Sequence, residues 1–190
     1  MRGGAVSSVA AYARERFTPS VFGPVVILLA GAAVWTAPAT RIADLLQAAG
    51  VVVGLVAQLR LWDDIEDVER DRFRHPDRVL VNARRGPFTG LMAALIVFTV
   101  ALCTEVPVSL AAYALLLALS WSAYRAVRPH VADGTWRFAI LPLKYPAIAG
   151  IASLSIGGVD GPRLAFAATA AYSCAAAYEA WHAPMTGASS

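Results

Sequence analysis

The sequence predicts an all-α, polytopic transmembrane helical bundle of about six spans, and three observations carry that prediction. Of the 190 residues, 58% are hydrophobic and only 15% are charged, whereas a soluble domain holds about 25% charged residues. Six stretches reach or approach the roughly 20 apolar residues that cross a bilayer: 21–37, 42–62, 87–104, 107–124, 138–157 and 163–181. The loops between them differ sharply in arginine content, as loops on opposite sides of a membrane do. The length fits one domain over residues 1–190.

Each element has a local reason. Residues 1–20 carry Arg2, Arg14 and Arg16 but no compact apolar core followed by a small-residue cleavage site. They read as an interfacial N-terminal arm rather than a signal peptide. Pro38 and Thr40 break the first span from the second. Glu105 and Pro107 separate the third and fourth so briefly that a tight helical hairpin is expected. Gly157, Gly158, Asp160, Gly161 and Pro162 divide the last two. Residues 183–190 read as a flexible tail.

With the N-terminus inside, the cytoplasmic loops hold Arg70, Arg72, Arg74, Arg78, Arg84, Arg85, Arg125, Arg128 and Arg137, against Arg41 and Arg163 opposite. The positive-inside rule then places both termini and the loop after the second span on the cytoplasmic side of an integral membrane protein. The net charge of +3 comes from arginines spread over loops without interleaved aromatics, a pattern that excludes nucleic acid as partner. Cys103 and Cys174 sit inside apolar segments and read as packing residues, not as a disulfide or zinc pair.

The chemistry concentrates after the second span. Seven of the thirteen acidic residues fall between Asp63 and Asp77. Asp63, Asp67 and Asp71 recur every fourth position and share a helix face, with Asp64 beside them. Like charges at that spacing repel by a few tenths of a kcal/mol per pair. An oxygen-only cluster of this kind suits a hard cation, and Mg²⁺ shared with a phosphate is the common biological case. Arg60 lies one turn earlier on the same face, either to meet a phosphate or to pair with Asp64 or Asp67 and snorkel to the interface. Lys144 is the chain's single lysine and lies inside the fifth stretch. A cation there marks a functional site unless it reaches the interface from the start of its helix. Tyr145 and Pro146 beside it are expected to kink the helix and bring a hydroxyl near the site.

Asp63-Asp64-x-x-Asp67-x-x-x-Asp71, followed by Pro76-Asp77-Arg78-Val79-Leu80, resembles the first aspartate-rich motif of the UbiA-type intramembrane prenyltransferases, NDxxDxxxD with a later Pro-x-Arg-Pro-Leu. Asp63 replaces the usual Asn, and Val79 the second Pro. The resemblance implies that Asp63, Asp64, Asp67 and Asp71 hold Mg²⁺ and act catalytically. It further implies that Arg78, Lys144 and Arg60 grip the diphosphate of an isoprenyl diphosphate. It stops at the sixth span, after which the family has a second aspartate motif. Here Glu179 and His182, three apart on one helix face, stand in that neighbourhood.

The implied activity is Mg²⁺-dependent transfer of a prenyl group to an aromatic or lipid acceptor within the membrane. Capture of the allylic cation by its own chain, a terpene cyclase, uses the same ionisation, and Trp62, Trp121, Tyr124 and Tyr145 are candidates to steady that cation. The missing second motif favours a third reading, a non-catalytic module that binds a prenyl phosphate. So few helices leave a tunnel open to lipid, which makes a homo-oligomer a reasonable expectation. The Asp133-Gly134-Thr135-Trp136 run does not continue as the signature of the CDP-alcohol phosphotransferases does.

Overall fold

The structure, a computed structural model, describes residues 5–37 and 41–182, without the side chains of residues 5–7, Asp133 and His182. The tail at 183–190 and the break residues Pro38 and Thr40 lie outside the described residues. All regular structure among the described residues is helical. In chain order the helices are α1 (Ala5–Arg16), α2 (Pro19–Thr36), α3 (Ile42–Glu66), α4 (Val68–Arg74), α5 (Val79–Asn82), α6 (Arg85–Cys103) and α7 (Pro107–Ser122), then α8 (Asp133–Thr135), α9 (Lys144–Ser155) and α10 (Gly161–His182).

Among the described residues five helical stretches are long and apolar enough to cross a membrane: Pro19–Thr36, Ile42–Glu66, Arg85–Cys103, Pro107–His130 and Trp136–Ser155. The chain is thus a multi-pass membrane protein. α10 has the length, at 22 residues, but is not among the five. Its long face of alanines is only weakly apolar, and Arg163 and Glu179 lower it further.

α3 is the central strut, packed against α2, α6 and α9. Val51, Val52 and Leu55 of α3 and Ile148, Ala149 and Ala152 of α9 are wholly buried together. Between membrane helices such packing depends on small residues that let backbones approach. Gly54 is the sharpest case, because a Cβ there would fall 2.5 Å from Thr99 Oγ1 and 3.1 Å from Phe98 on α6. Polar side chains add directional glue in the apolar core. Gln47 Nε2 donates to the carbonyls of Leu102 (3.1 Å) and Ser155 (2.8 Å), and the Thr36 and Ser153 hydroxyls lie 2.6 Å apart.

The hairpin between α6 and α7 is not tight along its length. The loop is as short as expected, and Ser109 Oγ closes it by donating to Cys103 O and Val106 O. Beyond that, α6 packs along α3 and touches α7 sparingly. The expected kink also moves: π and 3-10 turns span Trp136–Ile140 and Leu141–Leu143, the second holding Pro142, so the irregularity precedes Lys144. Pro146 falls in the first turn of α9, where its missing N–H costs no helical bond. α9 ends at Ser155, and Gly157 two residues on, with a φ of +88° that favours glycine, turns the chain toward α10.

Candidate functional site

α3 carries the first part of the acidic row on a regular helix, and the chain stays nearly helical through the break at Asp67. Asp67 N–H donates to Asp63 O (3.0 Å), and Asp71 N–H donates to Asp67 O (2.8 Å). The four carboxylates therefore keep close to helical spacing, but they do not share one partner. Asp64, 5% exposed, faces α1: Tyr12 Oη donates to it at 2.8 Å, Arg16 Nε at 2.8 Å, and Arg16 Nη2 closes the fork. Arg60 Nε is also 3.7 Å from Asp64. Asp63 faces the other way, accepting from Lys144 Nζ and from Tyr124 Oη (2.6 Å). Asp67 pairs with Arg128, and Asp71 with Arg78.

This geometry answers the repulsion problem posed by the sequence. A buried carboxylate survives only when paired and hydrogen-bonded, and each member of the row has its own cation from a different segment. Aromatic rings secure two of these cations. Arg128 stacks at 5.3 Å over Tyr124 and 5.1 Å over Trp136, and Lys144 sits 5.6 Å from the Tyr145 ring. Outside the apolar spans, burial pushes the Tyr12 hydroxyl well above its usual range, and the neighbouring Asp64 charge adds to the shift. Burial likewise raises Asp67, with Arg128 opposing it.

Beside the inner end of the row lies a cavity of about 940 Å³, near the upper end for ligand pockets. α2 and α10 form its long walls, and Val56 and Leu59 of α3 with Ile148 of α9 form its back. Its mouth holds Arg16, Arg60, Lys144, Tyr145, Glu15 and Glu179. Ile27, Leu28 and Phe166 line it and are also exposed, so the groove opens sideways where the apolar spans face lipid. None of the four aspartates lines it. Asp63 and Asp64 stand behind the cations that do, and fix those cations at the mouth.

The structure thus gathers Arg60, Lys144, Tyr145 and Glu179 at one opening, while Arg78 stays with Asp71 and does not line it. Glu179 lies 3.7 Å from Arg137 Nη2. His182 ends α10, and its side chain lies outside the described residues. Of the aromatic candidates, Tyr145 lines the cavity, Tyr124 is engaged by Asp63, and Trp121 is exposed. Sequence reasoning missed Tyr12, Arg16 and Arg128 as site residues, and named Tyr124 for a cation-steadying role rather than as a donor to Asp63. The available signal was the placement of Arg16 just before the first expected stretch, and of Arg128 just past the end of the fourth.

Carboxylate oxygens are the right donors for Mg²⁺, but their arrangement does not fit a metal centre. Among the described residues no three acidic, histidine or cysteine side chains converge to hold an ion. Asp63 and Asp64 face different helices, and each carboxylate of the row is already neutralised.

Comparison with known proteins finds no matching family, no matching characterised protein and no matching solved structure. The resemblance to the UbiA-type enzymes therefore rests on the motif and its place after the second span.

Proposed function

We propose that this protein binds an isoprenyl diphosphate, its phosphates at Arg16, Arg60 and Lys144 and its tail in the groove, and transfers the prenyl group to an aromatic or lipid acceptor in the membrane. One observation carries the reading: a long apolar groove, open to the side, ends in three cations held in place by buried aspartates. That combination matches an amphiphile with a polyanionic head and a greasy tail. Arginine forks hydrogen-bond phosphate oxygens in pairs, and lysine adds a point charge. Concentrated positive charge also stabilises departing pyrophosphate, the group on which negative charge develops as the allylic C–O bond breaks. The proposal places the mouth, α1 and the acidic row on the cytoplasmic side, in keeping with the loop arginines.

A second reading has its own support. Every aspartate of the row is ion-paired, and Glu179 is the single acidic group that α10 brings to the mouth, so a module that holds a prenyl phosphate without cleaving it fits the same geometry. Release of pyrophosphate from geranyl, farnesyl and geranylgeranyl diphosphates by the purified protein in nanodiscs separates the two. The assay is run with and without Mg²⁺ and acceptor, beside Lys144→Met. Release lost in the variant supports transfer, and a product formed without acceptor assigns cyclisation. Saturable binding without release supports the module. Equal displacement by lysophosphatidate would reassign the groove to ordinary phospholipid and sink both.

A further inference from the structure

The groove has a definite length, and the ends that set it are chemically unlike. At the mouth stand Arg16 and Lys144. At the far end Trp35 of α2 meets Phe166 of α10 edge-to-face, with ring centroids 5.8 Å apart. Behind that pair Arg163 stacks 5.9 Å from the Trp35 ring and lies 3.5 Å from Asp160. The two rings, 49% and 70% exposed, bound the end of the groove and leave its side open, so an apolar chain lying along the groove from the mouth meets an aromatic pair backed by charge, past which the groove offers no further wall.

Both long walls measure the same distance. From Ser20 to Trp35 along α2 is about 22 Å, and from Phe166 to Glu179 along α10 about 20 Å, at 1.5 Å of rise per residue. An extended isoprene unit, built from ordinary carbon–carbon bonds, covers roughly 5 Å. We infer that the groove is built for a prenyl chain of about four isoprene units, the geranylgeranyl class, with Trp35 and Phe166 as its length-limiting floor. The inference rests on the proposed headgroup site and adds the substrate's size class to it. Geranyl chains fill only the half of the groove nearest Lys144 and leave the part beside Gly31 and Ala32 unused. Each added unit buries apolar surface, so affinity rises with length until the floor is reached.

Gly31 offers the test. It lines the far half of the groove, and a Cβ added there meets nothing within 4 Å, so Gly31→Ala is tolerated and Gly31→Phe projects a ring from an open position on the groove wall. Displacement of a fluorescent prenyl probe is measured for geranyl, farnesyl and geranylgeranyl diphosphates and for the corresponding uncharged prenols. Wild type is expected to prefer geranylgeranyl over geranyl by at least about tenfold, in keeping with the added apolar burial. Gly31→Phe should erase that preference while geranyl affinity stays the same, and Gly31→Ala should keep it. Equal affinity at all lengths, or a preference that survives Gly31→Phe, overturns the inference. The two readings fail separately. Flat length dependence with all diphosphates weakened by Lys144→Met removes the length assignment and keeps the headgroup site. A length order kept by prenols that bind as tightly as their diphosphates does the reverse.

Discussion

The inner and outer halves of the acidic row are built from the same residue type, yet do different work. Asp63 and Asp64 hold Lys144, Arg16 and Arg60, all of which reach the cavity mouth. Asp67 and Asp71 hold Arg128 and Arg78, which do not line it. The outer pair instead fastens loops: Arg128 starts the 3-10 turn after α7, and Arg78 stands at the N-terminal cap of α5. A row of aspartates running from α3 through the break at Asp67 into α4 can thus serve a binding site at one end and a scaffold at the other, and only the partners distinguish the two.

Four perturbations would break or sharpen that contrast. The largest effect is expected from Asp64→Ala, which strips Tyr12 and Arg16 of a common acceptor and Arg60 of its nearby countercharge. Losing one side of a buried pair costs about 3 kcal/mol or more, so the variant should melt well below wild type and expose α1 to trypsin at Arg14 and Arg16. An unchanged melt would mean that the inner half does not anchor the arm. Next, Lys144→Met should weaken geranylgeranyl diphosphate binding by about 30-fold, the loss of one desolvated charge contact of about 2 kcal/mol. Binding within error of wild type would remove lysine from the headgroup site.

A smaller effect is expected in the outer half. Arg78→Ala, in a partly exposed pair, should cost about 1 kcal/mol of stability and leave diphosphate affinity unchanged in a displacement assay. A fall in affinity would show the four aspartates acting as one unit, as the sequence motif implies. The smallest effect is expected from chelation. Binding measured in EDTA should match binding in Mg²⁺ within about twofold, because fixed cations rather than a recruited metal meet the phosphates. A collapse of binding in EDTA would restore the metal to the row.

The fold was legible where hydropathy and helix breakers act locally. The expected stretches at 21–37, 42–62, 87–104, 107–124 and 138–157 correspond to the five long apolar helices, with ends moved by a few residues. The sixth, at 163–181, corresponds to α10, where length and mean hydropathy part company because alanine favours helix more than it favours lipid. α3 runs on to Glu66 rather than ending near Trp62, which brings Asp63 and Asp64 inside the helix. The candidate site was half legible. Lys144 and Arg60 drew notice as charges in apolar stretches, and both line the mouth. Arg16 and Tyr12 meet Asp64 across 48 and 52 residues, and Tyr124 meets Asp63 across 61. No local pattern encodes partners at such separations; only the packing of α1 on α6 and of α7 on α9 brings them to α3.

The seating of Tyr12 bears on how the molecule is assembled. Its ring is 1% exposed and packs edge-on against Phe88 of α6, with centroids 5.4 Å apart. Chains are made from the N-terminus at about 5–20 residues per second, so the arm is synthesised long before α6 can receive it. The seat of Tyr12 therefore closes only after the third apolar span is in place, although Asp64 on α3 is within reach of Arg16 earlier. A bulky fusion attached close to α1 would intervene in that late step, and would disturb the mouth of the groove while leaving the spans themselves inserted.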